Sequence, residues 1–198
     1  MSTQKSKFRI TQTLLGAWLY SYKTDGGYDS FLKTLRREKV PPTKAMLDGV
    51  RFENCINAVL NGAEIDVSHE WYKPVTEISA ELTGAQKQVV LFKNMSVDGV
   101  PFLLHGVLDF LLAGRIIDTK YSKSYRVGKY LDSPQHPMYF ALVPEAYEFQ
   151  YTICDGSYVY RETYRPEDCT PIETTIRQFM RFLDDQNLVD LYAQKWRV

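Results

Sequence analysis

The sequence predicts a domain of mixed architecture, α/β or α+β, in which helices precede and follow a three-strand antiparallel meander. Three observations carry this reading. Helical spacing with capping signals runs through the first 84 residues. The period then changes between Gln86 and Lys120, and two reversals, Asp98-Gly99 and Ala113-Gly114, divide that stretch into three strands.

The elements follow in chain order. Helices are expected at Ile10–Tyr22 and Tyr28–Arg37, then from Pro41-Pro42-Thr43 to about Asn61, where Asn61-Gly62 suits a C-cap. Another covers Glu70–Leu82 and stops at Gly84. Gln86–Met95 and Val100–Phe110 are rich in Val, Leu and Phe and are joined through Asp98-Gly99; Leu111–Lys120 holds the second reversal. Ser133-Pro134 reads as an N-cap and first helical position, opening a helix to about Val143. Tyr147–Asp155 and Ser157–Arg165 alternate like strands about Asp155-Gly156. Pro171–Asp185 and Leu188–Lys195 read as closing helices.

The bulk numbers set bounds. A chain of 198 residues, 44% apolar and 24% charged, fits one globular domain with a real core, with N-terminal helices over 1–84, a core over 85–165 and C-terminal helices over 166–198. No run reaches the roughly 18 apolar residues that span a bilayer, and Met1–Lys7 lacks the apolar centre of a signal peptide, so the reading is of a cytoplasmic protein without a membrane partner. Cys55, Cys154 and Cys169 form no CxxC pair, which suggests neither a disulfide framework nor a zinc or iron–sulfur centre.

Net charge is zero, but it is unevenly spread: residues 1–60 hold ten Lys/Arg against five Asp/Glu, and 119–130 hold four Lys/Arg against none. Neutrality weakens the case for a nucleic-acid partner without removing it, because a phosphate groove needs only local positive potential. Within 119–130 the cations Lys120, Lys123, Arg126 and Lys129 recur every third residue, interleaved with Tyr121, Tyr125 and Tyr130. That mixture suits a DNA backbone track or, equally, a solvated basic loop.

The second reversal fixes a register. With Ala113-Gly114 as the central turn residues, Leu112 pairs with Arg115, and counting outward sets Asp109 opposite Asp118. Lys120 shares a face with Asp118, since residues two apart point the same way. Opposed carboxylates among Val107, Leu111 and Ile116 are destabilising without a compensating cation. Two readings follow: a site for Mg²⁺ or Mn²⁺, completed by water and a phosphate oxygen, or acids turned to solvent and paired with Lys120.

His105-Gly106-Val107-Leu108-Asp109, then Ile116-Ile117-Asp118-Thr119-Lys120, then Gln135-His136-Pro137-Met138-Tyr139 resembles the core of the RecB-type branch of the PD-(D/E)xK nucleases: a Gly-x-x-Asp strand, an apolar strand ending in Asp-x-Lys, and a helix bearing Gln-x-x-x-Tyr. Gly49-Val50-Arg51-Phe52-Glu53 looks like the Gly-x-x-x-Glu helix of lambda-exonuclease-like relatives. Independently, Glu53 borders the apolar stripe Met46, Gly49, Phe52, Ile56, Val59 and Leu60, where a half-buried acid needs a partner. The resemblance covers about Gly49 to Tyr139.

The resemblance implies an α/β restriction-endonuclease-like core, with a central mixed sheet, the meander and flanking helices. It implies a metal-dependent DNA nuclease, an exonuclease of phage or mobile-element recombination or end-processing. Asp109, Asp118, Glu53 and the carbonyl of Thr119 would hold Mg²⁺ or Mn²⁺; Lys120 would serve catalysis and Gln135 the attacking water or a phosphate. Lys123, Arg126, Lys129 and Tyr139 would contact DNA, with a packing role equally open for Tyr139. A single-strand annealing or recombination protein and a second copy of the chain are the other implied partners. No iron–sulfur cluster is expected, because the cysteines that hold it in some relatives are absent. Two rival readings use the same residues: a non-catalytic nucleic-acid-binding or assembly module, and a structure- or site-specific endonuclease. His69 and His136 have no ligand-spaced partner and receive no role.

Overall fold

A computed structural model describes residues 7–198; of the polar segment Met1–Lys7, read above as lacking the apolar centre of a signal peptide, all but Lys7 lies outside them. The element order is β1 (Phe8–Thr11), α1 (Gln12–Tyr20), α2 (Gly27–Leu35), α3 (Lys44–Leu60), α4 (Tyr72–Glu81), β2 (Gln86–Val97), β3 (Val100–Leu112), β4 (Arg115–Tyr121), α5 (Gln135–Leu142), β5 (Glu148–Cys154), β6 (Val159–Tyr164), α6 (Ile172–Asp185) and α7 (Val189–Trp196). The result is an α/β fold: one mixed six-stranded sheet flanked by helices. No helix among the described residues is long and apolar enough to cross a membrane.

Local chemistry places most boundaries. Thr43 caps α3, its hydroxyl accepting from Met46 N. α5 starts one residue later than the sequence reading sets it, with Pro134 rather than Ser133 as its N-cap, although Ser133 Oγ accepts from Gln135 N beside it. Pro137 then sits in the first turn of α5, where its missing N–H is harmless. Both reversals of the meander have two successive residues at positive φ, Asp98 (50°) with Gly99 (79°) and Ala113 (49°) with Gly114 (80°), the geometry whose twist matches the flanking strands.

One element departs from the expectation. The helix read from Ile10 begins only at Gln12, because Phe8–Thr11 forms a parallel strand on β3, with Ile10 fully buried. Thr11 serves both elements: it ends the strand and its hydroxyl accepts from Leu14 N as the cap of α1. Four residues are too few for alternation to register against the helical spacing behind them. β1 also draws the N-terminal segment into the sheet of the 85–165 core.

The sheet order is β1-β3-β4-β5-β6, with β2 beside β3. β3 pairs with β2 along one edge from Val100 to Leu111, with a single break at Asp109. Its other edge is shared: Phe102–His105 pairs with β1 and Phe110–Leu112 with β4. Between these neighbours the edge of β3 from Gly106 to Asp109 has no strand beside it. Two cores flank the sheet. The larger joins α1, α2, α5, α6 and α7 to one face; the smaller joins α3 and α4, through Phe52, Ile56, Trp71, Val75 and Ile78, to Phe110, Ile117 and Cys154. Adjacent residues Ile116 and Ile117 fall in different cores, as a strand covered on both faces requires.

Candidate functional site

The site lies in the gap on the edge of β3. The backbone there is satisfied by other means. Tyr139 Oη donates to Val107 O at 2.7 Å, and its ring lies on Gly106, where an added Cβ would stand 2.6 Å from Cε1. One turn back along α5, Gln135 Nε2 donates to Asp118 Oδ1 at 2.6 Å. Gln135 and Tyr139 thus use one face of α5, Tyr139 to plug the gap and Gln135 to hold the acid on β4.

Leu112 pairs with Arg115, and the ladder runs back to Phe110 opposite Ile117, so the predicted register places Asp109 across from Asp118. Backbone pairing stops there. Asp109 Oδ2 instead accepts from Thr119 N at 3.1 Å, replacing a ladder bond where the strands part. In a strand the N–H and C=O of one residue project to the same edge, so the Thr119 carbonyl also looks toward the gap rather than toward β5.

The charges are tightly arranged. Asp118 is buried, and its Oδ2 stands 2.6 Å from Lys120 Nζ in a close ion pair. Burial, then repulsion from Asp118, pushes the Asp109 carboxyl well above its usual value, against the pull of Lys120. Burial alone would lower the Lys120 ammonium, but Asp118 and Asp109 more than offset this and hold it above its ordinary value. Burial and the Asp118 charge also raise Glu53 on α3. The gap therefore holds a fixed cation between acids that repel one another.

Glu53 does not reach the two aspartates directly. Its Oε1 accepts from Gln88 Nε2 at 2.8 Å. Gln88 is the residue the sequence reading missed. It stands in β2 at the position facing Asp109, but the pairing skips both residues, and Gln88 has φ 50°, a left-handed conformation costly for a side chain of this size. Across this break Leu108 packs in the larger core and Phe110, two residues on, in the smaller one, so the alternation of β3 is interrupted at Asp109. Extending the register argument to the first hairpin, where Val97 faces Val100, would have set Gln88 opposite Asp109.

Several expectations change on contact with the fold. Tyr139, for which the sequence leaves a DNA contact and a packing role both open, is 3% exposed and donates its hydroxyl to β3, which favours packing. The interleaved tyrosines do not stand out from the 121–130 loop but pin it: Tyr121 packs on Phe52 and Trp71, Tyr125 donates to Glu162, and Tyr130 stacks on Tyr151. Lys123, Arg126 and Lys129 remain exposed, and Lys123 and Lys129 line a cavity with Ala45, Asp48 and Tyr121 at the start of α3. The apolar stripe of α3 is buried only from Phe52 on; Met46 is 60% exposed. His136 stacks on Tyr164 at 4.0 Å, and burial lowers its pKa to about 4.

Among the described residues, no three His, Cys, Asp or Glu side chains converge closely enough to form a metal-binding group. What the site offers a cation is the Asp109–Asp118 pair and the Thr119 carbonyl. That donor set fits Mg²⁺, which is commonly held by one or two carboxylates and keeps much of its own water. The three cysteines are free and scattered over α3, β5 and the segment before α6.

No family model matches this chain, and no curated protein is detectably similar to it. Among solved structures, one described as "Crystal structure of SSO0001" is similar over 91% of this chain and 79% of that one, with a TM-score of 0.55 and 15% identity. A likeness at that identity speaks for the shared α/β fold alone.

Proposed function

We propose that the protein is a divalent-metal-dependent DNA nuclease with a restriction-endonuclease-like core, hydrolysing phosphodiester bonds from a DNA end. The observation that carries this reading is the meeting, at one gap in the sheet, of Asp109, Asp118 and Lys120, with Asp118 buried and ion-paired to the ammonium. An ion pair that only stabilises a fold does not need a second buried acid beside it.

Asp109, Asp118 and the Thr119 carbonyl are the groups that would hold the cation, with Glu53 in an outer position through Gln88. Bound there, Mg²⁺ or Mn²⁺ supplies Lewis-acid polarisation of the phosphate. The remaining work belongs to side chains. Lys120, kept protonated by its two acids, offsets charge that develops on the phosphate oxygens. Gln135 holds the Asp118 carboxylate in one orientation. Glu53, half-buried and with a raised pKa, is suited to hold and deprotonate a water. Lys123, Arg126 and Lys129 offer phosphate contacts on the neighbouring loop.

The test is cleavage of end-labelled linear DNA and closed circular DNA with Mg²⁺, with Mn²⁺ and with chelator, beside Asp118→Asn. The expected result is metal-dependent loss of the linear substrate, abolished by chelator and by the variant. Cleavage of the circle would redirect the reading to an endonuclease; no cleavage of either substrate would end it. A second arm reads the cation itself: Mg²⁺ should raise the melting temperature of the wild type and leave that of Asp109→Asn unchanged.

A further inference from the structure

β2 and β3 present a second surface that the cleavage chemistry does not use. Val89, Leu91, Leu104 and Leu108 pack into the larger core, so Val90 and Phe92 on β2, with Val107 and His105 opposite them, lie on the other face. α3 covers that face as far as Gln88, through Glu53. Beyond that point Val90 is 54% and Phe92 58% exposed. Phe92 and His105 form a parallel stack, with ring centroids 4.6 Å apart and planes within 8°. Among the described residues β2 pairs only with β3, which leaves the ring face of Phe92 turned away from His105 at the open edge of the sheet.

The chemistry grades along this strip. At one end stand Gln88 and the acids of the gap. In the middle are Val90 with Val107 and Phe92 with His105. At the far end Asn94 pairs with Leu103, beside Arg9 on β1, and Asn94 Oδ1 accepts from Lys7 Nζ at 2.8 Å. Arg9 Nε is buried without a hydrogen-bond partner among the described residues. Phe92 stands four residues from Gln88, about 13 Å along an extended strand. An open aromatic face, flanked by two cations on one side and leading to a phosphodiester site on the other, has the alternation of base and phosphate contacts that single strands require. A protein partner or a second copy would need a broader apolar area than two cross-strand pairs.

We propose that this face binds the unpaired bases of a single-stranded DNA end, with Phe92, backed by His105, as the stacking platform and Arg9 and Lys7 as phosphate contacts beyond it. The inference rests on the nuclease reading for where the strand leads; the stacking itself is testable without cleavage.

The experiment is fluorescence anisotropy with a labelled oligothymidylate, in chelator, against the wild type, Phe92→Ala and Phe92→Tyr, and with an abasic oligomer of the same length. Phe92 is exposed, so its replacement leaves the core intact. Loss of one stacked base, worth about 1–3 kcal/mol, predicts that Phe92→Ala binds the oligothymidylate about tenfold more weakly. Phe92→Tyr, which keeps the ring, should bind within about twofold of wild type by the same reasoning. The abasic oligomer should not distinguish wild type from Phe92→Ala. Equal affinity of wild type and Phe92→Ala for the oligothymidylate overturns the proposal, as does a self-association in sedimentation that Phe92→Ala abolishes. Phe92-dependent binding without cleavage under any metal would uphold the platform and end the nuclease reading. Cleavage with no dependence of binding on Phe92 would do the reverse.

Discussion

Gln135 on α5 donates to Asp118 on β4 at 2.6 Å, and this single bond ties the helix that plugs the sheet to the acid that stands beside Lys120. A carboxylate held at one oxygen by an amide and at the other by an ammonium is oriented before any ligand arrives, which is what preorganisation for a cation requires.

Replacing Gln135 by Ala should therefore lower affinity for Mn²⁺, and cleavage with it, by about 10- to 100-fold, the usual cost of removing a group that orients a metal ligand. Titration calorimetry with Mn²⁺ checks the affinity. Circular dichroism should remain that of the wild type, since Gln135 adds little to either core. Unchanged Mn²⁺ affinity in Gln135→Ala would remove this role.

Gln88 is expected to separate stability from activity. Its φ of 50° lies where glycine is at ease and other residues are strained, and its amide holds Glu53. Gln88→Gly should hold or gain stability, by up to about 1 kcal/mol after the flexibility of glycine is counted. Activity should fall, because Glu53 loses its anchor. Urea midpoints and cleavage rates moving in the same direction would contradict this.

Tyr139 and Gly106 make a paired prediction about the gap itself. Gly106→Ala drives a methyl to within 2.6 Å of the Tyr139 ring and 2.7 Å of Leu142 Cδ1, an overpacking expected to cost about 1–3 kcal/mol. Tyr139→Phe removes the donor to Val107 O and should cost about 1 kcal/mol. Denaturant unfolding measures both. Because Tyr139 is buried, Tyr139→Phe should leave DNA affinity in chelator unchanged; a large loss there would restore Tyr139 to the DNA surface.

His136 carries a dependence of stability on pH. Burial lowers its pKa to about 4, below the value of about 6.5 that the unfolded chain restores. Between those two values the unfolded chain binds a proton that the folded one refuses. The contribution is therefore whole above about pH 6.5 and is lost as pH falls toward 4, to the order of 2–3 kcal/mol. His136→Phe keeps an aromatic ring on Tyr164 and removes the titration. The fall in melting temperature from pH 7 to pH 4.5 should be smaller in this variant than in the wild type, and an equal fall would exclude His136 as its source.

Legibility varied with the range of the interaction. The two reversals were readable because each rests on adjacent residues with particular backbone needs: Asp98-Gly99 and Ala113-Gly114. The facing of Asp109 and Asp118 followed from the second reversal by counting. β1 was hidden because its partner lies some 94 residues away, at Phe102–His105, and four residues carry no pattern that outweighs the helix behind them. The tyrosines of the 121–130 loop were ambiguous for the same reason, since only Glu162, Tyr151 and Trp71, all distant in sequence, decide that they point inward.

By itself the sequence determined the helices, the meander and the set of acids, base and amide that the site draws on, because propensity, turn geometry and strand period act over neighbouring residues. Only the tertiary structure decided that β1 and β4 share one edge of β3 and leave a gap between them. That gap frees the Thr119 backbone for Asp109, gives Tyr139 a carbonyl to satisfy, and puts a strained Gln88 between Asp109 and Glu53. Which backbone groups go unpaired depends on which strands end beside one another, and no short stretch of sequence contains that information.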